Sequence, residues 1–316
     1  MDVNRLPPVE KLPLAVRKDV RDEWENNKAD LEKQLSDLMG TQWTIDINPL
    51  AVWPYHNDGY AKESLGSCIK NYVEGALYQL KYVSGRNGDA DFLDEVNAIC
   101  HARVLTLEFD DADPPRFRTG GCDVRDGRLR ILFGATGLGI NIHHCLDEST
   151  LLGALNAAPN GAPLSFAARN DIRNEYDPKI GAVRKEMAEM LGKAEEQITL
   201  NPNFEASFAA LAAAAKAGNK DLRDDWEGNL GGWTLRYFEA LAYQMKSIQV
   251  GEDEMVREGL LEAVSTNEYV FRVVDKLKYD SYCETDIEDG VLYLQCTPSK
   301  WGVNIDHVAQ KLMDRL

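Results

Sequence analysis

The chain has 316 residues, 44% of them hydrophobic and 28% charged, which is the balance of a folded globular protein with room for one large core or two ordinary ones. Fifty-two acidic against thirty-five basic side chains leave a net charge of −17, which repels polyanions over a Debye length of about 8 Å and argues against nucleic acid and anionic membrane as partners. No run approaches the roughly eighteen apolar residues of a membrane span, and the opening MDVNRLPPVEKLP lacks the apolar core of a signal peptide.

Six cysteines scattered without a Cys-x-x-Cys pair suit reduced thiols, so a cytoplasmic location is expected. Residues 1–28 read as an N-terminal extension whose VRKDVRDEWENNKADLEKQL run leads into a long charged helix. A first domain then spans 29–150. After its opening helix, Trp43, Ile45 and Ile47 alternate as in a strand. Leu65, Cys68, Ile69, Tyr72, Val73, Ala76, Leu77, Leu80 and Val83 follow at 3.6 spacing and predict a long helix with one buried stripe. DADFLDEVNAIC predicts a shorter helix. RVLTLEFD alternates Leu105, Leu107 and Phe109 with Thr106 and Glu108, the pattern of a half-buried strand. CDVRDGRLRILF places Asp126-Gly127 between two strand-like runs, which suits a two-residue type I′ hairpin because both central residues need positive φ. Gly139-x-Asn141-Ile142-x-His144 then turns into a closing helix, with Asn141 as its expected N-cap.

The Pro, Gly and Asn density of ALNAAPNGAPLSFAARNDIRNEYDPK marks residues 151–180 as a linker, and a second domain over 181–316 repeats the first. KQLSDLMG is answered by KEMAEMLG, TIDINP by QITLNP, YVEGALYQL by YFEALAYQM, and LEFD by LKYD. Asp126-Gly127, Leu129 and Asn141-Ile142 are answered, at one constant offset, by Asp289-Gly290, Leu292 and Asn304-Ile305. Five blocks in one order indicate an internal duplication of a unit of roughly 130 residues, the size of a domain. The second copy gains EASFAALAAAAKAG, an Ala-rich helix ending at Gly218. FRVVDKLKYD fits helix or strand by itself, and its partner RVLTLEFD decides for strand. The expected fold is therefore α+β, each unit running α-β-α-α-β-β-β-α with helices packed on a small, mostly antiparallel sheet, and the two lobes related by a pseudo-twofold axis.

His143, His144, Cys145 and Asp147 put four potential metal ligands in five residues. Adjacent histidines on a helix point about 100° apart, so one ion would need further ligands, and the capping account ranks above a metal site. FGATGLGIN lacks the Gly-Lys-Ser/Thr ending of a phosphate loop, and its match CTPSKWGVN keeps one glycine of three, which favours a tight turn. No G-x-S-x-G or H-E-x-x-H stands in the chain, and His56 with Asp58 or His101 with Cys100 are isolated pairs. On the long helix, Glu74 and Tyr78 fall opposite the apolar stripe, and Glu239 and Tyr243 reproduce them. A neighbouring element could cover that face; alternatively the tyrosines stack on a ligand while the carboxylates accept its hydrogen bonds. Trp53, Tyr55 and His56 form a second aromatic group, in the first copy alone. The reading is a soluble, non-catalytic intracellular protein that binds a small molecule or a protein partner and uses no cofactor. The alternative is an enzyme of unassigned class built on His143, His144 and Asp147, with or without a metal.

Overall fold

The computed structural model describes residues 5–159 and 161–316. Residues 1–4 of the N-terminal extension and residue 160 of the linker lie outside that set. The chain divides between Gly161 and Ala162 into two compact units.

The first unit opens with α1 (Leu14–Asp19), a π-helical turn (Val20–Glu25) and α2 (Asn26–Met39), so the run read as an extension continues unbroken into the first helix. There follow β1 (Thr44–Asp46), the four-residue α3 (Pro49–Val52), α4 (Leu65–Arg86), α5 (Asp89–Ile99), β2 (Val104–Phe109), β3 (Gly120–Arg125), β4 (Arg128–Phe133) and α6 (Glu148–Ala157). The long helix buries Leu65, Cys68, Ile69, Tyr72, Val73, Ala76, Leu80 and Val83, the stripe its spacing predicts. Ile45, Leu105, Leu107, Leu129 and Ile131 of the sheet are buried as well.

The sheet has the order β1-β2-β4-β3 and is mixed, which corrects the expectation of a mostly antiparallel one. β1 runs parallel to β2 (Thr44 opposite Val104), and β2 parallel to β4 (Leu105 opposite Leu129). Only β3 and β4 are antiparallel, joined by Asp126 and Gly127 at φ +53° and +69° as the hairpin composition requires. Three helices lie between β1 and β2, and a strand reached through a helical crossover returns in the same direction as the one before it. The hairpin reaches outward, so β3 takes the edge and β4 the place beside β2.

The second unit opens with α7 (Phe166–Asp171), a π-helical turn (Ile172–Tyr176) and α8 (Ile180–Leu191). Helix therefore occupies most of the segment read as a linker. Then come β5 (Thr199–Asn201), α9 (Phe204–Lys216), α10 (Leu230–Ser247), α11 (Glu254–Ala263), β6 (Glu268–Val273), β7 (Cys283–Glu288) and β8 (Val291–Cys296). Its sheet has the order β5-β6-β8-β7, with the first two pairings parallel and the last antiparallel. β6 is a strand, as its partner segment argued. Where closing helices were expected, Ile142–His144 and Ile305–His307 are single 3-10 turns; the first unit proceeds to an α-helix, α6, and the second to a further 3-10 turn, Leu312–Arg315. Asn141 and Asn304 do not cap these turns with their side chains. They sit at φ +53° and +49°, a left-handed conformation that Asn tolerates better than most residues, and this is the reason the residue recurs. No helix among the described residues is long and apolar enough to cross a membrane.

Each unit joins its first helices to its long helix by the same device. Oδ2 of Asp19, the last residue of α1, accepts hydrogen bonds from the amides of Gly66 (2.6 Å) and Ser67 (3.2 Å) at the start of α4, and the Ser67 hydroxyl donates to Oδ1 (3.1 Å). Asp171 accepts from the Gly232 amide of α10 (2.8 Å). The carboxylate caps a helix that lacks a side-chain cap of its own, an arrangement of about 1 kcal/mol, and complements the positive end of the helix dipole. Burial raises Asp171 above the usual carboxylate range, against the opposing pull of the Gly232 and Gly231 amides. The approach is close enough that a Cβ on residue 66 would stand 2.3 Å from the Asp19 carbonyl oxygen, and one on residue 231 would stand 2.6 Å from the Ile172 Cα.

On the other face of the first sheet Arg130 is buried, held by Asp123 (2.7 and 2.6 Å) and Glu108 (3.0 Å). Arg116 joins Asp123 at 2.7 Å. Burial would raise the Asp123 pKa, but hydrogen bonds from Arg130 and Arg116 outweigh it and hold the group below its usual value. A carboxyl whose pKa falls on folding adds stability that is complete above its unfolded value of about 3.9 and fades as pH drops through the folded value. Acid titration of unfolding should therefore show a steepening loss below about pH 4 that is smaller in Asp123→Asn, while that variant is already weaker at pH 7 because Arg130 has lost its main partner. Gly66→Ala should lower stability by about 1–3 kcal/mol in urea denaturation through overpacking against Asp19. Gly153→Ala, in α6 with nothing within 4 Å of its Cβ, should be neutral or gain up to about 1 kcal/mol.

Candidate functional site

With its stripe buried, α10 turns Arg236, Glu239 and Tyr243 outward, spaced three and four apart and so aligned along one face. Tyr243 is 74% exposed. Beyond β8 the chain comes back toward this helix through Trp301 and Gly302. Gly302 has φ +75°, and a Cβ there would lie 2.3 Å from the Trp233 ring, so only glycine lets the return come this close. Asn304 turns the chain again and Ile305 is buried. Between α10 and the return lies a groove of about 760 Å³ lined by Arg236, Glu239, Tyr243, Gln244, Asn304 and Asp306, among others. Two further depressions share Glu239 with it. One of about 490 Å³ reaches Asp171 and Glu175, and one of about 630 Å³ includes Tyr243, Val183 and Lys246.

Among the described residues, the side chains of Arg236, Glu239 and Gln244 make no ion pair or hydrogen bond, so a cation, a carboxylate and an amide stand ready around an exposed ring. Polar groups converging beside an aromatic surface are the usual makings of a small-ligand site. Glu239 and Tyr243 are the residues that the helical pattern points to. Arg236, Gln244 and Asn304 are not, although Arg236 lies on the same helical line and that spacing is the signal that finds it.

The matched positions of the first unit are occupied differently. Glu74 faces Lys70 at 3.9 Å. Tyr78, 65% exposed, stacks on Tyr82 (ring centroids 6.4 Å apart, 7° between planes), and Arg86 lies over the Tyr82 ring at 5.7 Å. Gly75 stands where α10 has Ala240, and His143 rests over it, its Nδ1 3.2 Å from where a Cβ would be. Gln79 donates to the His143 carbonyl (2.8 Å), and the Tyr72 hydroxyl accepts from the Gly139 amide (3.0 Å). The return segment is thus seated on α4 and the amide of Gln79 is engaged.

Trp53 and His56 meet, their ring centroids 4.8 Å apart, while Tyr55 turns away from them into the core. Trp53 donates Nε1–H to the Lys62 carbonyl (3.2 Å), and His56 Nδ1 accepts from the Asp58 amide (3.0 Å). Tyr55 is buried against Phe109 (4.6 Å, stacked) and Phe133 (5.3 Å, edge-on), its hydroxyl accepting from the Leu6 amide (2.6 Å). His143 and His144 are exposed on their turn. Asp147 caps α6, accepting from the Thr150 amide (3.0 Å) and the Ser149 hydroxyl (3.1 Å). Among the described residues no three His, Cys, Asp or Glu side chains are grouped to hold a metal ion. Comparison of the chain with protein-family models, curated proteins and solved structures finds no match.

All six cysteines are free and buried. Burial, with smaller contributions from neighbouring acidic groups, pushes the Cys68, Cys145 and Cys283 thiols up to about 12. Thiols so placed are protonated at neutral pH and poor nucleophiles. Labelling the native protein with a disulfide reagent at pH 7.5 should consume less than one thiol per chain in the time that the unfolded chain yields all six.

Proposed function

We propose that this chain is a non-catalytic binding protein made of two units that arose by internal duplication, and that the groove beside α10 is its recognition site. The duplication is supported by matched sequence blocks in one order, by the shared strand order and by the shared carboxylate cap on the long helix. A cytoplasmic location accords with six free, buried thiols. The observation that carries the functional reading is the unengaged trio of Arg236, Glu239 and Gln244 around Tyr243, set against first-unit positions where the return segment rests on the helix. Ala240 stands at the position of Gly75, where a Cβ would come within 3.2 Å of His143.

The ligand this geometry favours has a flat ring to stack on Tyr243 and polar substituents to meet Arg236 and Glu239. It is a small molecule or an aromatic side chain of a protein partner. Ligand-detected NMR with a library of small aromatic acids and bases should give hits that compete for one site, and Tyr243→Ala or Glu239→Gln should weaken them at least tenfold, about 1.4 kcal/mol. Hits that bind both variants like the parent protein overturn the assignment of the groove. Turnover of a hydrolase or transferase substrate, abolished by changes in one cleft, overturns the non-catalytic reading.

A further inference from the structure

A second cavity, of about 420 Å³, lies in the first unit beside the carboxyl ends of β1 and β2, and it is bounded by both ends of β4, Arg128 at its start and Phe133 at its close. Where parallel strands end, the connecting segments diverge and leave a crevice, the default ligand position of open sheets. Its wall is apolar, formed by Val52, Tyr55, Phe109 and Phe133, and the segment Arg5 to Pro8 crosses it, tied down by the Leu6 amide on the Tyr55 hydroxyl. The corresponding strand ends of the second unit are built over. There α9 packs against β6 and against the turn Pro298–Lys300 that follows β8, burying Leu211 and half-burying Phe204 and Phe208. The first unit has the four-residue α3 and two 3-10 turns in that stretch of chain. In the second unit α9 supplies apolar side chains beside these strands, and the depression that remains, of about 510 Å³, lies at Asn201, Pro202 and Phe204.

The rim carries two guanidinium and two carboxylate groups. Arg128 faces Asp46 at 3.4 Å and Arg5 faces Glu108 at 3.9 Å. Asp46 is 69% and Arg128 47% exposed at the side chain, so that pair contributes at most about 1 kcal/mol and a ligand can replace it at little cost. The Arg130 and Asp123 contacts behind the rim are shorter and buried, and they stay engaged. A ligand with a single charge would match one rim group and leave its counter-charge unmatched, whereas a ligand bearing both signs satisfies each pair.

We propose that this cavity binds a small zwitterion with an apolar side chain, an α-amino acid of the aromatic or large aliphatic class. Its carboxylate pairs with an arginine of the rim, its ammonium with Asp46, and its side chain lies on the wall of Val52, Phe109 and Phe133, while Glu108 stays on Arg130 at 3.0 Å. The site and its ligand class are independent of the groove on α10. Titration calorimetry of the full chain with L-phenylalanine and L-leucine should show saturable binding at one site per chain for at least one of them. For L-phenylalanine, 3-phenylpropanoate and 2-phenylethylamine, which each lack one charge, should bind at least tenfold more weakly. Asp46→Asn, at an exposed position, should weaken the amino acid about tenfold with an unchanged thermal midpoint. Val52→Trp should abolish binding by filling the cavity. Absence of saturable binding of both amino acids at millimolar concentration, equal binding of the single-charge analogues, or undiminished binding by Asp46→Asn in a folded protein overturns the proposal.

Discussion

The arrangement of each unit depends on a carboxylate of one helix capping another at backbone contact distance. Asp19 and Asp171 reach amides that would otherwise be orphaned at the start of α4 and α10, and they do so only because residues 66 and 231 carry no side chain. A buried amide without a partner costs more than the bond it forgoes, so the start of the long helix is held to one place beside the π-helical turn. That fixes the direction of the long helix, and with it which of its faces meets the sheet and which is left for the returning chain.

From this common frame the two units diverge through single side chains. At the long helix, His143 of the first return lies over Gly75 and Gln79 is hydrogen-bonded to its carbonyl, whereas Ala240 and Gln244, its side chain unbonded among the described residues, stand at the matched positions. At the strand ends the difference is larger, because the second unit carries a whole helix, α9, where the first has a few turns. The second unit carries a groove along its long helix, and the first carries a cavity beside its strand ends. Both openings lie within a single unit, and both combine an aromatic surface with charged groups that are loosely paired or unpaired.

Much of the first-order structure was legible. The apolar stripe on the long helix, the Asp-Gly hairpins and the strand character of FRVVDKLKYD all correspond to elements, the last because its partner segment alternates where it does not. The carboxylate cap was not found, although LAVRKDVRDEW and FAARNDIRNEY align residue for residue around Asp19 and Asp171. Low similarity at Lys18 and Asn170 and the Pro-rich approach to each hid the match. Of the site residues, Glu239 and Tyr243 were visible from helical spacing, while Asn304 and Gln244 came to the groove through a fold-back that no local pattern specifies.

The sequence by itself determined the elements and their buried faces, because periodicity of 3.6 or 2 and the φ preferences of Gly and Asn act within a few residues of chain. It also raised the expectation of two like halves, and the two sheets have the same strand order. Only the tertiary structure decided that β1, β2 and β4 run parallel, that Asn141 and Asn304 serve by backbone conformation and not as caps, and that Gln79 is hydrogen-bonded to the returning chain. Each of these turns on which segments meet across many residues of chain, and no local pattern of residues specifies that.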